Sequence, residues 1–500
     1  MYIVFIGFIL ENTDVSPSLT RWSSASLACC RDAMEAPCCC RREYITREWF
    51  CLCHQALPLV LKQKCFTGFC KKEENAIVFP IVLEKLLHFI KFFGSICSGG
   101  GMMILRPDYL EAIRPFIDAP IVKILTGIRR CGKSTIFLML HDELRKRGVS
   151  EEKILSRRYT DMELEGLDQH GMYDDLKSAT SGRGRCYLLL DEVQEIRGWE
   201  KVVNSLLESM DVDIYVTGSN SKLMSSEIST YLTGRYVPIS VYTLSFREYL
   251  DFKRNSNCSR TELLEEYIRT GGFPLVALGH YDEKTAYQIV EGIYHTVVSR
   301  DIVKRHRISK QDLFDRVVRF VIENMGKTFS ANAIGTFLKN EHRTVSVETI
   351  YNYLRWLEQA FIIYPCRRYD LQGKSILKTQ EKYYLADVSL KYALCGFNGR
   401  MRGAALENIL YLEMRRRGYE VYVGKLGSKE IDFVAEKHGE RIYVQACVML
   451  PEDSTRETDN LLEIPDNYPK YVVTLDRLAA GNENGVRIVY LEDFLLAGTW

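Results

Sequence analysis

A glycine-rich segment in the first third of the chain has the residue types that bind phosphate. Residues 127–135 read GIRRCGKST, which fits the pattern G-x-x-x-x-G-K-[ST]. Gly127 and Gly132 permit a tight turn in which backbone amides and the following helix N-terminus face the phosphates. Lys133 can then reach the β- and γ-phosphates, and Ser134 can hold Mg²⁺. Apolar residues before the segment and helix-like residues after it supply the strand and helix that the loop needs.

An acidic pair further along the chain predicts the catalytic half of this site. The apolar run 186–190 ends at Asp191 and Glu192. Asp191 is placed to contact the Mg²⁺ shell and Glu192 to polarise the attacking water. The alternative is an acidic pair that only keeps the strand end exposed to water. The sequence contains no Asn-Lys-x-Asp motif for reading guanine, so ATP is favoured over GTP. The residues expected to bind the nucleotide are Gly127, Arg130, Gly132, Lys133, Ser134, Thr135 and Asp191, with Ser134 and Asp191 as the Mg²⁺ ligands.

Two further segments offer residues that could sense or stabilise the phosphates. The strand-like run 212–216 leads into TGSN at 217–220, and in a parallel sheet that polar tip would lie beside the γ-phosphate. Ser219 and Asn220 are therefore candidate sensors, and Asn220 counts among the catalytic candidates. Arg235 could stabilise transferring phosphate charge in cis or from a neighbouring subunit of a homo-oligomer. Its spacing alone fits an ordinary surface arginine equally well.

The composition is that of an ordinary folded protein with several parts. The 500 residues are 46% hydrophobic and 26% charged, a length that allows about three domains. Collagen, coiled coil and general disorder are excluded. With 66 Lys and Arg against 65 Asp and Glu the net charge is +1, so any nucleic-acid surface has to be a local patch.

The first 101 residues differ from the remainder. They hold ten of the 16 cysteines, whereas the scattered cysteines of the body are typical of reduced thiols in the cytoplasm. The segment lacks the paired C-x-x-C motifs of a zinc site and the features of a signal peptide, and charges in its apolar stretch 76–97 disfavour a membrane span. Three glycines then precede Met102 and Met103. We interpret 1–101 as a largely unstructured upstream extension, expect no membrane association, and expect the working protein to start at Met102 or Met103.

Residues 311–385 have the element order of a winged helix. Helix-like segments at 312–324 and 330–339 precede a third helix, capped by Ser346 and reaching 360, and then a basic hairpin. Helical spacing predicts that the third helix buries Val347, Ile350, Tyr351, Leu354, Leu357 and Phe361. The outward side would carry Thr349, Asn352, Arg355 and Gln359. In a DNA-binding winged helix those outward groups meet base edges while Arg367, Arg368 and Lys382 of the hairpin meet phosphate; packing between domains is an equally good interpretation.

The nucleotide-site segments resemble those of predicted prokaryotic AAA-type ATPases that carry a C-terminal domain of unknown function. The resemblance spans about 103–500 and rests on 126–134 (TGIRRCGKS), 190–194 (LDEVQ), 199–200 (WE), 217–221 (TGSNS), 232–236 (LTGRY), 244–249 (LSFREY) and 271–274 (GGFP). It implies a Mg²⁺-dependent ATPase with Arg235 as the arginine finger, and it supplies no substrate. The expected fold is α/β: a P-loop NTPase (AAA-like) parallel-sheet core at 102–250, a helical lid or linker at 251–310, a winged helix at 311–385 and a restriction-endonuclease-like domain at 386–500.

The C-terminal part resembles the restriction-endonuclease-like fold, which implies a Mg²⁺ site. There a helix glutamate, a strand aspartate and a Glu-x-Lys on the next strand bind the ion and orient a water. Glu407, Asp432 and Gln445 fit the first three positions, but Cys447 stands in place of the lysine. Losing one such charge commonly costs a few kcal/mol of barrier, and a neutral glutamine is a weaker ligand. We therefore expect a degenerate domain kept for binding or packing, without appreciable nuclease activity.

Two classes of function follow from these segments. One is an ATP-switched machine that binds or processes DNA through its C-terminal domains. The other is a regulatory NTPase whose C-terminal domains hold a protein partner, and an ATP-regulated nuclease is a further alternative. The sequence does not decide between them.

Overall fold

A five-stranded parallel sheet forms the centre of the first half of the described chain. The computed structural model describes residues 104–500 except 225–230, 233, 344 and 451–455, so the interpretation of 1–101 lies outside the described residues. The strands are β1 (Val122–Thr126), β2 (Ile154–Arg158), β3 (Cys186–Asp191), β4 (Val212–Gly218) and β5 (Tyr236–Ser240). They pair in the order β2-β3-β4-β1-β5, all in parallel. Every residue of β1, β3 and β4 is buried, as parallel strands covered on both faces must be.

The register of this sheet decides which polar residues meet. Thr126 pairs with Gly218, and Leu190 pairs with Val216, so β1, β3 and β4 end at the same edge. The phosphate loop after β1 and the polar residues after β3 and β4 therefore lie together there. The helices of this half are α1 (Pro107–Ile113), α2 (Lys133–Lys146), α3 (Gln169–Thr180) and α4 (Trp199–Ser209).

Two glycines of the phosphate loop are required by its backbone. Gly132 has φ 102°, a left-handed conformation that side-chain-bearing residues rarely adopt. At Gly127 a Cβ atom would lie 2.0 Å from the carbonyl oxygen of Val241, so no larger residue fits. The loop therefore has the tight course that the sequence predicted.

A helical segment follows the first sheet. Its helices are α5 (Phe246–Phe252), α6 (Arg260–Thr270), α7 (Pro274–Leu278) and α8 (Glu283–Val297). Ser245 and Ser259 begin α5 and α6 with complete capping boxes, which satisfy amides at the helix start. Helix α8 continues through a π-helical stretch, Val298–Val303, before the next three helices. These are α9 (Gln311–Glu323), α10 (Ala331–Asn340) and α11 (Val347–Gln359).

A second sheet contains eight strands in the order β12-β13-β11-β10-β9-β8-β6-β7. Its strands are β6 (Ile363–Asp370), β7 (Ser375–Leu385), β8 (Glu420–Leu426), β9 (Lys429–Lys437), β10 (Glu440–Cys447), β11 (Lys470–Thr474), β12 (Gly481–Glu483) and β13 (Val486–Tyr490). The accompanying helices are α12 (Ser389–Cys395), α13 (Arg402–Arg416), α14 (Arg456–Leu462) and α15 (Leu491–Leu496). Hairpin β6–β7 joins this sheet because β6 pairs with β8 in parallel. The hairpin thus shares a sheet with the strands that follow residue 385.

Of the six residues that the spacing of helix α11 predicted to be buried, four are buried. Ile350, Leu354 and Leu357 are buried as expected, and Tyr353 joins them. Val347 and Tyr351 were expected to be buried, but they are 40% and 55% exposed. The prediction was wrong at these two positions, and Tyr353 is buried instead, with its ring edge-on to that of Phe314 on α9 at 5.2 Å. Among the described helices, none has the length and apolar character needed to cross a membrane.

One buried arginine joins the start of the described chain to three distant segments. The Arg106 guanidinium is 1% exposed and donates to both carboxylate oxygens of Glu248 on α5, at 2.6 and 2.9 Å. It also donates to the carbonyl oxygen of Cys131 in the phosphate loop at 2.8 Å and to that of Tyr242 at 3.0 Å. Burial alone raises the pKa of Glu248, but Arg106 lowers it below the ordinary value. Arg106 thereby connects α5 with the phosphate loop.

We expect Glu248→Gln to destabilise the protein by about 3–5 kcal/mol, because it leaves the buried Arg106 charge without its partner. Urea unfolding followed by circular dichroism measures this. Glu208→Gln is the matched control, since Glu208 pairs with Arg235 at the surface and both side chains are about half exposed. An unchanged unfolding midpoint in Glu248→Gln would contradict the anchoring role of Arg106.

Candidate functional site

The phosphate loop holds its lysine in a defined position. Lys133, the first residue of α2, is 4% exposed. Its ammonium donates to the carbonyl oxygens of Gly127 at 2.9 Å and Ile128 at 3.2 Å. Arg130 has φ 69° and is exposed at the tip of the loop, while Thr135 is half-buried within α2. The Lys133 ammonium thus lies over the loop. The backbone amides of this loop are the groups that the sequence predicts to bind phosphate.

Ser134 and Asp191 meet at the edge where β3 ends. The Ser134 hydroxyl donates to Asp191 Oδ2 at 2.8 Å, and Arg158 Nε lies 3.4 Å from the same oxygen. The Thr217 hydroxyl donates to Asp191 Oδ1 and accepts from the Glu192 amide at 3.0 Å. The oxygens of Ser134 and Asp191 are the kind that Mg²⁺ prefers, so these two residues fit a nucleotide-bound Mg²⁺. Sequence reasoning missed Thr217, although it opens the TGSN segment.

Glu192 occupies a strained backbone position beside this pair. It has φ 56° and ψ 46°, a left-handed conformation that is uncommon for residues other than glycine. Its carboxylate accepts from Ser219 at 3.2 Å and from the Gln194 amide group. Burial alone raises the pKa of Glu192, but the positive charges of Lys133 and Arg129 hold it below the ordinary value. The carboxylate is therefore ionised at neutral pH and able to accept a proton.

The remaining two catalytic candidates lie in different places. Asn220 is 1% exposed and follows β4 at the edge that carries the phosphate loop. Arg235 precedes Tyr236, which pairs with Val122 at the start of β1. Arg235 therefore lies at the opposite edge of the sheet, where it pairs with Glu208 at 3.1 Å. The structure does not bring Arg235 to the phosphate loop of its own chain. Arg235 therefore does not act on a nucleotide bound to the same chain.

A buried ion pair joins the phosphate loop to the helical segment. Arg129 donates to Asp301 through two nitrogens, at 2.9 and 3.1 Å, and Asp301 is 2% exposed in the π-helical stretch after α8. Burial alone lowers the pKa of Arg129, but Asp301 raises it above the ordinary value. Sequence reasoning missed this pair because 172 positions separate the partners. The ion pair thus joins the loop at Arg129 to the segment that follows α8.

The three nuclease-like candidates do come together in the second sheet. Gln445 Oε1 accepts from the Asp432 amide at 3.1 Å, and Glu407 on α13 shares an ammonium partner with Asp432. That partner is Lys382 of β7, which is 4% exposed. The prediction that Lys382 meets DNA phosphate is wrong, because its side chain points into these carboxylates. Burial and the Asp432 charge raise the pKa of Glu407 to about 7, and burial raises the pKa of Asp432.

Comparison with known proteins agrees with the first part of this architecture. Residues 120–250 match the model of an AAA domain, and residues 261–400 match a domain of unknown function. An uncharacterized protein of Haemophilus influenzae is 38% identical over 398 residues, which cover 79% of this chain and 99% of that protein. The uncharacterized protein MJ1544 of Methanocaldococcus jannaschii is 30% identical over 344 residues, covering 66% of this chain and 75% of that protein.

A Walker-type ATPase of Pyrococcus abyssi has a similar structure, with 15% identity, a TM-score of 0.43, and coverage of 58% of this chain and 95% of that one. Residues 120–250, which match the AAA domain, contain the phosphate loop, Asp191 and Glu192 at one edge of a parallel sheet. The core is thus an AAA-type P-loop ATPase fold. The chain belongs to the same family as the uncharacterized protein of Haemophilus influenzae and the uncharacterized protein MJ1544 of Methanocaldococcus jannaschii.

Proposed function

We propose that the protein binds and hydrolyses ATP in a Mg²⁺-dependent reaction and couples this cycle to DNA binding by its C-terminal part. The observation that carries the ATPase proposal is the convergence of Lys133, Ser134, Asp191 and Glu192 at one edge of the first sheet. Residues of these types in this arrangement can bind phosphate, hold a metal ion and activate water.

Each residue has a distinct task in the proposed reaction. Lys133 binds the β- and γ-phosphates, and Ser134 with Asp191 holds Mg²⁺. Mg²⁺, when bound, supplies neutralising charge to the phosphates. Glu192 accepts a proton from the attacking water, and its hydrogen bonds to Ser219 and Gln194 orient its carboxylate. Because Ser219 follows β4 beside the γ-phosphate position, this contact also supports a sensor role for Ser219 and for the neighbouring Asn220.

Arg235 fits a role in a neighbouring subunit. It lies at the edge of the sheet opposite the phosphate loop, and its side chain is about half exposed. A guanidinium at that edge could reach the nucleotide of an adjacent copy, where it would stabilise charge on the transferring phosphate. We therefore propose a homo-oligomer in which Arg235 acts in trans.

The DNA-binding proposal is supported by the arrangement of residues 311–385. Helices α9, α10 and α11 precede hairpin β6–β7. Thr328, in the segment that connects α9 with α10, forms an antiparallel β-bridge with Lys382 of β7. This order of elements supports the winged helix that we propose, in which α11 would enter the major groove. Arg355 is exposed on α11, and its guanidinium donates a hydrogen bond to Asn352 Oδ1. The two polar side chains therefore lie side by side where base edges could contact them.

A protein partner is the second candidate for the same surface. The exposed side of α11 also carries Val347 and Tyr351, which are 40% and 55% exposed, and the acidic residues Glu348 and Glu358. Apolar and acidic groups suit a protein surface better than a phosphate backbone. This observation favours the regulatory NTPase as the alternative to the DNA-dependent machine.

We expect Lys133→Ala to abolish ATP binding measured by calorimetry, because no other described side chain takes the place of its ammonium over the loop. Lys146→Ala, at the exposed end of the same helix, is the control and should bind ATP as the wild type does. Thermal unfolding checks that both variants are folded. Wild-type affinity in Lys133→Ala would remove the proposed site.

We expect Glu192→Gln to keep ATP affinity while turnover falls by about 100-fold or more, because the amide cannot accept the proton from water. The matched control is Glu195→Gln, in the same short turn but exposed. Phosphate release under saturating ATP is the measurement. Undiminished turnover would reduce Glu192 to a structural carboxylate.

We expect duplex DNA to bind and to change the ATPase rate, with binding weakening steeply as salt is added, since phosphate contacts release counterions. Arg355→Ala should weaken binding several-fold in gel-shift assays, whereas Arg319→Ala, exposed on α9, should not. The Lys133→Ala variant should still bind DNA. Absence of both a salt-sensitive shift and a rate change would exclude the DNA proposal and leave the protein-partner alternative.

A further inference from the structure

The Lys382 ammonium is surrounded by carboxylates from two elements of the second sheet. Its Nζ lies 2.9 Å from Glu430 Oε1, 3.3 Å from Glu407 Oε2 and 3.5 Å from Asp432 Oδ1. The lysine comes from β7 of the hairpin, while Glu407 lies on α13 and the other two carboxylates on β9. An ammonium has three N–H donors, and three carboxylates lie within ion-pair distance of this one.

The other groups expected to bind Mg²⁺ are also engaged within the protein. Asp432 Oδ2 accepts from the Ala446 amide at 2.9 Å, and Gln445 Oε1 accepts from the Asp432 amide. The Tyr384 hydroxyl donates to Glu407 Oε2 at 3.0 Å. In the part of the chain that the structure describes, no group of three or more acidic, histidine or cysteine side chains is arranged to hold a metal ion. These residues therefore do not fit the Mg²⁺ site that the restriction-endonuclease-like resemblance implies.

Cys447 does not restore the missing charge. Its thiol donates to the Met449 carbonyl oxygen at 3.0 Å, and burial raises its pKa, so it stays neutral. Lys382 instead brings a positive charge to the cluster from outside the motif. The ammonium stays charged, because Glu407, Asp432 and Glu430 raise its pKa although burial alone lowers it.

The three carboxylates that face the Lys382 ammonium differ in their exposure to solvent. The Glu430 side chain is 38% exposed and solvated, whereas those of Asp432 and Glu407 are 12% and 20% exposed. Two poorly solvated carboxylates thus face one ammonium. The Lys382 ammonium therefore occupies the place between them that a cation would take.

We propose that Lys382 is a built-in counter-ion that takes the place of a divalent metal ion among Glu407, Glu430 and Asp432. The cluster therefore binds no Mg²⁺ or Mn²⁺ and cleaves no nucleic acid. Its role is to fasten hairpin β6–β7 to α13 and β9 through buried ion pairs. This proposal does not depend on the ATPase or on DNA binding, since it concerns only the second sheet.

Replacing the ammonium should convert the cluster into a metal site. Lys382→Met keeps the length and apolar stem of the side chain but leaves three carboxylates without a cation. Calorimetric titration with Mn²⁺ in the absence of nucleotide should show one more bound ion per chain than in the wild type. Lys382→Met combined with Asp432→Asn should lose that ion. Lys253→Met is the matched control, because the buried Lys253 pairs with a single carboxylate, Glu266, at 3.0 Å, and it should gain no Mn²⁺.

The wild-type protein provides a second test that does not require any lysine variant to fold. Wild type and Asp432→Asn should give the same Mn²⁺ titration, and Mn²⁺ should leave the wild-type thermal midpoint unchanged. Binding of Mn²⁺ by the wild type that is lost in Asp432→Asn would overturn the proposal. So would Mn²⁺-dependent DNA cleavage that requires Asp432, or a folded Lys382→Met protein that gains no ion.

Discussion

A charge buried in a protein needs a counter-charge, and this requirement fixes which distant segments of the chain lie together. Burying one member of an ion pair alone costs several kcal/mol. The chain meets the requirement repeatedly across long sequence separations, with the pairs Lys123–Asp213, Arg106–Glu248, Arg129–Asp301 and Lys382–Glu407. Each pair joins elements that hydrophobic packing alone could leave free to shift. Ion pairs with defined geometry thus specify the relative positions of those elements.

Two of these pairs act directly on the phosphate loop. Arg106 bonds to the Cys131 carbonyl oxygen and so connects the loop with α5. Arg129 bonds to Asp301 and connects the same loop with the π-helical stretch after α8. A π-helical stretch widens a helix locally and is often found at functional positions. Here it contains Asp301, whose buried ion pair with Arg129 holds the phosphate loop against the segment that follows α8.

The second sheet uses the same principle for a different result. Its carboxylates occupy the positions of a nuclease-like motif, and Lys382 from the hairpin neutralises part of their charge. The cluster thereby becomes a connection between the hairpin and α13. If α11 and the hairpin hold a partner, this connection makes them move with the C-terminal sheet. The hydrophobic side of α8 belongs to the same core as α9, α11 and residues of the first sheet.

The sequence by itself determined the phosphate loop, the acidic pair and the parallel sheet, because each depends on a local pattern of residues. Glycines at 127 and 132, an apolar run before Asp191, and the TGSN segment are sufficient to predict residues that meet where parallel strands end. Only the tertiary structure decided the position of Arg235, the exposed face of α11 and the partners of Lys382. The register of the strands decided the position of Arg235, since β5 starts at the edge opposite the phosphate loop. Packing against α9 decided which residues of α11 are exposed. The partners of Lys382 depend on the contact of β7 with α13 and β9. The residues in this contact are distant in the sequence, so no local pattern encodes it.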